Sequence, residues 1–550
     1  MNELIAFFKI SVQNVCDQGS CYSSHQFTAQ GVRSAVSKLK DKSDCKDNFM
    51  SNHVIHGGDT LFVHLSFLFN CMISHTCDPK QLRMSVLIPI PKNRRKSLSV
   101  STNYRSIALS SIVGKVFDRM ILTEHVNIFS TSNLQYGFKP KHSTVQCTFV
   151  LQNVINHYKS RGSPCYVMLL DASKAFDRVQ YVRLFYLLRE RGLCARIFML
   201  LALLYTNQSM CVRWKNCISD NFSCSNGIKQ GGVLSPTLFC IYFDELLIRL
   251  KHCGSGCHLG HLFTGALSYA DDVALLAPTL TAAKVMLNVC EQFANNFNVL
   301  FNADKSALLV CGRPIRKEVN LRLNGRIIQQ NSTAVHLGTT IGDNSSTRNV
   351  KKAASDLYCL TNVLMCKFGH CSIDVLSALF FFFFFYCSSF YGCPLWDLRN
   401  IEPILTAWRK CLKRIWKLNI RTRTKYINNL PKGNLISALL IRSLSFYMQC
   451  LSSSNAIVKL ASNYCFYGCM YSVISENVHL CSVLSSVPLR FIFDDFENVK
   501  SIIQRGMYDE ATIAESLALK DLCYLRDGLM FLNFEITSEE LLCAFNHFTI

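Results

Sequence analysis

The stretch "LSYADDVALL" places two adjacent carboxylates, Asp271 and Asp272, inside an otherwise apolar run. Aspartate is disfavoured in strands, and a charge in an apolar setting is costly unless a positive group offsets it. A third carboxylate, Asp171, ends the apolar run "CYVMLL", which is typical of a buried strand. Carboxylates brought together from separate strands repel one another unless divalent cations bind between them. The pattern therefore favours a site for Mg²⁺, which prefers hard oxygen ligands.

Two such ions would suit in-line phosphoryl transfer, in which one activates the attacking oxygen and the other stabilises the leaving group. Taken singly, each aspartate is explained as well by a solvated turn. The motifs that flank these acids along the chain favour the metal site over the solvated turns.

Short strands and amphipathic helices alternate around these acids. "MSVLIPIP" predicts a strand, "ASKAFDRVQYVRLFYLLRERG" leads from Asp171 into a helix, and "NGIKQGGVLSP" is a Gly-rich turn into a helix that starts near Pro236. A hairpin is expected around "YADD", and mostly helices after about residue 343. The fold class expected is α+β.

The composition indicates which classes of molecule the chain is expected to bind. The 550-residue chain carries 58 Lys and Arg against 37 Asp and Glu, a formal charge of +21. Such an excess favours polyanions, and nucleic acid is the commonest of them, with an acidic lipid surface or a solvated basic face as alternatives. The first residues lack a basic region and a long apolar stretch, so no signal peptide is expected and the predicted location is nuclear or cytoplasmic.

One uncharged segment, residues 375–396, is long enough to span a bilayer. It contains a run of Phe followed by Ser, Gly and Pro, and basic residues lie on both sides of it. We expect a buried helix there and no membrane span.

Taken in order, "LLDASKAFD", "GIKQGGVLSP", "YADD", "FNADKS" and "VHLG" resemble the palm motifs of a reverse transcriptase, above all those of non-LTR (LINE-type) retrotransposons. The resemblance covers roughly residues 25–450 and is clearest over 84–342. It implies an RNA-directed DNA polymerase that takes an RNA template, a DNA primer and dNTPs, with two Mg²⁺ ions, or Mn²⁺ in their place, and no stable protein partner. Retroviral, group II intron and viral polymerases share the metal site, but "YADD" with "QGGVLSP" fits the LINE-type enzymes better.

The resemblance assigns the acids first. Asp171 is expected to hold both metal ions, Asp271 to be the second main ligand, and Asp272 to lie nearby or alternate with it. These three residues are the predicted catalytic and metal-binding set.

Five further residues are expected at the nucleotide. Arg105 matches an arginine over the triphosphate, and its planar fork suits that ligand. Lys92 is a second phosphate contact, Gln230 lies near the nucleotide or template base, and Lys305 resembles a lysine that donates a proton to pyrophosphate. Phe176 matches a steric gate against a 2′-OH. The alternatives are surface charges for Arg105 and Lys92, a supporting role for Lys305, and ordinary core for Phe176.

Template and primer contacts are expected in two places. Gly231 and Gly232 would let backbone approach nucleic acid closely, and Leu337 with Gly338 would form the hairpin that grips the primer end. The basic loop "KNRRK" is a further candidate template contact, centred on Arg94 and Arg95.

The expected architecture is a right-hand polymerase, with fingers, a palm containing an antiparallel sheet, a helical thumb and a helical C-terminal region. The boundaries expected are an N-terminal extension over 1–80, fingers and palm over 81–342, thumb and connector over 343–450, and a tail of unknown role over 451–550. This architecture requires 165–180 and 263–276 to be neighbouring strands.

The family's usual endonuclease has no room before the polymerase, so the chain is interpreted as a truncated copy. The alternative function is a catalytically dead remnant that only binds an RNA–DNA hybrid.

Overall fold

Helices and short strands alternate along the described part of the chain, which in this computed structural model comprises residues 26–40, 50–93, 96–312, 319–386, 390–423, 427, 435–466, 473 and 477–478. Arg94 and Arg95 of the predicted template-contact loop lie outside the described residues, as does 479–550 of the predicted tail.

The α-helices in this part are α1 (Ala29–Val36), α2 (Ser51–Ile55), α3 (Gly58–His75), α4 (Lys80–Arg83), α5 (Ile112–Glu124), α6 (Thr144–Ser160), α7 (Tyr181–Glu190), α8 (Ala195–Thr206), α9 (Ser235–His252), α10 (Leu280–Asn296), α11 (Ser345–Phe368), α12 (Ile373–Tyr386), α13 (Glu402–Ile415), α14 (Leu435–Leu451) and α15 (Ala456–Phe466). The strands are β1 (Met84–Pro91), β2 (Tyr104–Ser110), β3 (Cys165–Ala172), β4 (Ser209–Trp214), β5 (Cys217–Ile218), β6 (Phe222–Ser223), β7 (His258–Leu259), β8 (Leu262–Phe263), β9 (Ala266–Tyr269), β10 (Asp272–Ala277), β11 (Phe301–Cys311), β12 (Arg322–Leu323), β13 (Arg326–Ile327), β14 (Gln329–Asn331), β15 (Thr333–His336) and β16 (Thr339–Gly342).

These elements belong to two compact units. The first contains the described residues within 1–144, 165–308 and 315–330, and the second those within 145–164, 309–314 and 331–550. The four-part division expected from the sequence stays a prediction.

The central sheet of the first unit has the strand order β14-β11-β3-β10-β9. Strand β3 is buried along its length except at Asp171, which is partly exposed. Strand β10 runs antiparallel to β3, with Val273 opposite Leu170, and antiparallel to β9, with Asp272 opposite Tyr269. The predicted pairing of 165–180 with 263–276 is therefore confirmed, and so is the α+β class with an antiparallel sheet.

A second sheet in this unit has the order β2-β1-β4-β5, with β6 also paired to β4. Strand β1 covers the predicted "MSVLIPIP" strand and runs antiparallel to β2, so that Ile90 lies opposite Arg105. The same strand runs parallel to β4. This sheet is the element that presents Arg105.

Helix starts in this unit follow local signals. Helix α9 begins at Ser235 with Pro236 in its first turn, as predicted, because proline lacks the N–H that the first turn cannot use. Helix α10 begins after Thr279, whose hydroxyl accepts a hydrogen bond from the Ala282 N–H.

In the second unit, helix α12 occupies much of the segment that the sequence marks as apolar. Leu376, Leu379 and Phe380 are buried, and the Phe380 ring lies 5.0 Å from that of Trp408. The Trp416 indole donates to the Ser377 hydroxyl at 3.0 Å. The helix ends at Tyr386, and none of the helices in the described ranges is long and apolar enough to cross a bilayer.

Candidate active site

The three predicted catalytic acids come from two adjacent strands. The register that pairs Val273 with Leu170 brings Asp272 beside Asp171 when it is continued by one residue. Because Asp272 pairs with Tyr269, Ala270 and Asp271 form a two-residue turn between β9 and β10. Antiparallel pairing thus gathers the three carboxylates at one end of the strands.

The backbone of this turn is strained. Ala270 has a φ of +59°, a conformation that favours glycine and costs an alanine about 1 kcal/mol or more. Two-residue hairpin turns require positive φ at their first position, which matches the right-handed twist of the strands. The sequence therefore places an ordinary residue where the fold demands an unusual conformation.

The carboxylates lie within one another's electric field. The pKa of Asp271 is raised to about 6, mainly by burial and then by the negative charges of Asp272 and Asp171, while Arg105 opposes the rise. The pKa of Asp272 is also raised, by burial and by Asp171. Ionised together, these acids need positive charge to be stable.

One carboxylate oxygen of Asp171 has an ion pair but no hydrogen bond within the described part of the chain. This oxygen, Oδ2, is buried and accepts no hydrogen bond from the residues that the structure describes. The Lys305 ammonium lies 3.6 Å from that oxygen, and the Asp171 N–H donates to the Ser306 hydroxyl at 3.3 Å. An orphaned carboxylate oxygen facing a cation is a suitable ligand position for a divalent ion.

The residues present fit a magnesium site of the open kind. Within the described ranges, no group of three His, Cys, Asp or Glu side chains is gathered closely enough to enclose a metal ion. Mg²⁺ in phosphoryl-transfer sites is usually held by one or two carboxylates, with waters and substrate phosphates completing its shell. Asp171 and Asp271 meet that requirement, with Asp272 beside them.

A cavity of about 920 Å³ connects two of the three acids, Asp171 and Asp271, to all five predicted nucleotide residues. Seven predicted site residues line it: Lys92, Arg105, Asp171, Phe176, Gln230, Asp271 and Lys305. The fold brings them together from β2, β3, β11, the 3₁₀ turn Phe176–Arg178, the β9–β10 turn and the loops that hold Lys92 and Gln230. A cavity this large, lined by both acids and cations, can hold a ligand that carries phosphates.

Two basic residues reach the cavity from the second sheet. The Lys92 ammonium donates to the Thr102 carbonyl at 3.1 Å, which ties the end of β1 to the start of β2. Arg105 is exposed on β2 and close enough to Asp271 to lower the pKa of that acid. A guanidinium in this position suits bidentate contact with phosphate oxygens.

Phe176 lies at the cavity with one face covered. Its ring stacks on Phe239 of α9, with centroids 4.1 Å apart and planes 12° from parallel, and meets Phe138 edge to face at 6.4 Å. The partly buried ring thus has core packing behind it and the cavity in front of it.

The Gly-rich loop packs against strand β2. The Gln230 carbonyl accepts from the Ala108 N–H at 2.7 Å. Gly231 has a φ of +114°, and a Cβ there would lie 2.8 Å from the Ala108 carbonyl oxygen, while a Cβ on Gly232 would lie 2.6 Å from the Ser235 hydroxyl. Gly231 is therefore required by the protein's own backbone, whereas at Gly232 only the Ser235 side chain would have to move. The predicted approach of both glycines to nucleic acid stays a prediction.

Leu337 and Gly338 belong to the second unit. They form the two-residue turn between β15 and β16, where His336 pairs with Thr339, and both have positive φ, of 47° and 75°. The Tyr391 hydroxyl donates to the Leu337 carbonyl at 2.9 Å. The predicted hairpin is confirmed, and its grip on a primer stays a prediction.

Lys96, from the predicted "KNRRK" loop, also lines the cavity. Sequence reasoning assigned no site role to three further charged residues there, Lys174, Asp177 and Arg178. Lys174 has the clearest sequence signal, because it lies inside "LLDASKAFD", three positions after Asp171. Asp177 and Arg178 carry no signal by themselves, since only the fold brings them to the cavity.

Comparison with known proteins identifies the domain that contains the cavity. The family described as reverse transcriptase (RNA-dependent DNA polymerase) matches residues 90–341. These residues form a reverse transcriptase domain. The match contains all the predicted site residues, and the resemblance noted from the motifs is confirmed.

The domain's curated relatives come from mobile elements. The RNA-directed DNA polymerase from the mobile element jockey of Drosophila funebris is 27% identical over 331 residues, which are 57% of this chain and 35% of that protein. The Pol polyprotein from the type-2 retrotransposable element R2DM of Drosophila melanogaster is 26% identical over 240 residues, 44% of this chain and 22% of that protein. The chain thus spans about a third or less of the length of these relatives.

Among solved structures, apo telomerase from Candida Tropicalis, truncated from its C-terminal domain, is similar at 12% identity and a TM-score of 0.34. The similarity covers 55% of this chain and 61% of that one.

Proposed function

We propose that this chain is an RNA-directed DNA polymerase of a non-LTR retrotransposon, which extends a DNA primer along an RNA template with dNTPs. The observation that carries the proposal is the single cavity shared by Asp171, Asp271, Arg105 and Phe176 inside the reverse transcriptase domain. The formal charge of +21 supports a polyanionic template.

Asp171 and Asp271 would hold two Mg²⁺ ions, or Mn²⁺ in their place, with Asp272 alongside. When bound, such ions stabilise the charge that develops on the transferred phosphoryl group and on the leaving oxygen. The buried Oδ2 of Asp171, which accepts no hydrogen bond from the described residues, and the raised pKa of Asp271 are both consistent with carboxylates placed to receive cations. These acids therefore orient the reacting groups.

The cations around the cavity bind the nucleotide. Arg105 holds the triphosphate with Lys92 as a second contact, and Gln230 lies beside the base. The Lys305 ammonium lies 3.6 Å from Asp171 Oδ2, beside the acids that would hold the metal ions. From there it would donate a proton to an oxygen of the leaving pyrophosphate.

The decisive experiment is primer extension on poly(rA)/oligo(dT) with Mg²⁺, comparing the wild type with Asp171→Asn and Asp271→Asn. We expect each variant to lose DNA synthesis by about 10³-fold or more, because removing a metal ligand removes several kcal/mol of transition-state stabilisation. Affinity for the hybrid, measured by fluorescence anisotropy, should change little, since the basic surface supplies most of the binding.

The matched control is Asp304→Asn. Asp304 lies next to Lys305 on β11, and its exposed carboxylate pairs with Arg326. This variant should leave synthesis unchanged. If the wild type retains the hybrid without lengthening the primer, the chain is a binding remnant. Near wild-type synthesis by either metal-ligand variant would show that the acids are assigned wrongly.

Phe176 is proposed to select deoxyribose by collision with a 2′-OH, which is exclusion of the wrong substrate and not attraction of the right one. Phe176→Ala should raise the use of rNTPs relative to dNTPs by about 10- to 100-fold. Phe176→Tyr keeps the ring and should keep the discrimination. The ratio of kcat/KM for dTTP and UTP measures the effect, and an unchanged ratio in an active Phe176→Ala variant would return this ring to the core.

A further inference from the structure

A short segment lies across the turn that carries the catalytic acids. Ser268 of β9 donates its N–H to the Leu134 carbonyl at 2.9 Å, and the Tyr136 N–H donates to the Ser268 carbonyl at 2.8 Å. Residue Gln135 thereby forms a parallel bridge to Ser268. Residues 134–137 thus lie along the edge of the sheet beside the Ala270–Asp271 turn.

The side chain of Gln135 is fully buried and is committed to this turn. Its Oε1 accepts from the Ala270 N–H at 2.9 Å and from the Gly137 N–H at 2.8 Å. Its Nε2 donates to the Ser268 hydroxyl at 3.3 Å and to the Ala270 carbonyl at 3.4 Å. A glutamine amide offers two acceptor positions and two donors, so its whole hydrogen-bonding capacity is used here.

The turn needs such contacts. A left-handed alanine persists only where the surroundings over-determine it, and both backbone polar groups of Ala270 are bound by Gln135. The Ser268 hydroxyl also donates to the Ala270 carbonyl, at 2.7 Å. A Cβ on Gly137 would lie 2.5 Å from the Ala270 nitrogen, so only glycine allows this approach. Asp271 follows Ala270 directly in the chain, so contacts that fix Ala270 also fix the backbone of this acid.

We propose that Gln135 is a positioning residue, which fixes the Ala270–Asp271 turn and thereby the placement of the two carboxylates against Asp171. This inference rests on the proposed function. Gln135 is outside the residues that line the cavity, so it acts through the backbone of the turn. Its loss should therefore weaken divalent-ion binding and lower kcat, while the KM for dNTP changes little.

The test compares the wild type with Gln135→Met, which keeps the size of the side chain and removes all its hydrogen bonds. Loss of a partner that orients a metal ligand typically weakens metal affinity by about 10- to 100-fold. Mn²⁺ binding, measured on the full chain by the electron paramagnetic resonance signal of the free ion, should show that loss. The Mg²⁺ concentration for half-maximal primer extension should rise in parallel.

Gln208→Met is the matched control. Gln208 is equally buried, at 1% exposure, and neither atom of its side-chain amide has a hydrogen-bond partner among the described residues. This variant should bind Mn²⁺ and extend primers like the wild type. It separates the loss of a buried amide in general from the loss of the one at the turn.

Gln135→Glu provides a second variant, since it keeps the two acceptor contacts and loses the two donors. Wild-type Mn²⁺ affinity in either folded variant would overturn the inference, and so would unfolding of both, which would make Gln135 a general determinant of stability. If the wild type fails to extend primers, the proposed function fails, yet the Mn²⁺ titration still decides the role of Gln135.

Discussion

Two hairpins of this chain have turns of the same length and are held in different ways. The β9–β10 hairpin lies in a five-stranded sheet, and its turn residue Ala270 is bound on both backbone groups by a buried glutamine. The β15–β16 hairpin forms a two-stranded sheet, with Leu337 and Gly338 in its turn. Its turn carbonyl accepts one hydrogen bond from the exposed side chain of Tyr391.

The difference shows two ways to hold a strained turn, since each turn has one residue other than glycine at positive φ, Ala270 or Leu337. Gly338 takes the second positive φ of the β15–β16 turn at little cost, and Leu337 is held there by one hydrogen bond from Tyr391. Ala270 is held on both backbone groups by a partner that lies far away in the sequence. We expect the second hairpin to open locally more easily, because few buried contacts hold it.

Low pH should change the contributions of the two hairpins to the free energy of unfolding in opposite directions. This is the largest difference that we expect between them. Burial lowers the pKa of His336, at the end of β15, to about 4. The unfolded chain then takes up a proton first as the pH falls below about 6.5, so the free energy of unfolding should drop by about 2 kcal/mol between pH 7 and pH 5. The raised pKa of Asp271 has the opposite sign, since the folded form takes up its proton first and gains stability as the pH falls.

Urea unfolding of the metal-free protein at pH 5 and pH 7 measures both contributions. His336→Phe should remove the loss at pH 5, and Asp271→Asn should remove the opposing gain. If His336→Phe left the pH dependence unaltered, the imidazole would not be the group that titrates.

A methyl group on the second turn should have the next largest effect. Gly338→Ala forces an alanine to a φ of +75° and places its Cβ 2.9 Å from the ring of Tyr391. The backbone alone costs about 1–2 kcal/mol, and displacement of the ring adds to it. We expect a lower free energy of unfolding together with weaker primer extension.

Gly325→Ala is the matched control for that substitution. Gly325 has a φ of +77° in the turn between β12 and β13, and a Cβ there would meet nothing within 4 Å. It isolates the backbone cost. Equal losses of stability in the two variants would mean that the close approach to the Tyr391 ring adds nothing to the cost of Gly338→Ala.

Tyr391→Phe should have the smallest effect. It removes the hydrogen bond to the Leu337 carbonyl, which is worth about 1 kcal/mol or less at an exposed site. Faster hydrogen exchange of the β15–β16 amides, with little change in global unfolding, is the expected result. Tyr358→Phe is the control, because the described residues provide no hydrogen-bond partner for the Tyr358 hydroxyl. Faster exchange of the β15–β16 amides in this variant as well would show that loss of the hydrogen bond to Leu337 is not the cause.

The sequence by itself determined the local elements and the family. The apolar run that ends at Asp171 became β3, Pro236 marked the start of α9, and the residues around "YADD" became a hairpin. These features follow from periodicity, capping and turn chemistry among residues close in the chain. The apolar segment 375–396 was predicted as a buried helix, but α12 comprises Ile373–Tyr386 and Cys393–Leu395 form a 3₁₀ turn, so the helix covers only part of that segment.

Only the tertiary structure decided which side chains meet. Arg105 faces Asp271 because β2 and the β9–β10 turn border one cavity, and Phe176 stacks on Phe239 from another helix. Gln135 and Ala270 are 135 residues apart, so no local pattern links a glutamine in a loop to the turn it holds. The physical reason is that hydrogen bonds and charges act over a few ångströms in space, whereas propensity and periodicity act only between neighbours along the chain.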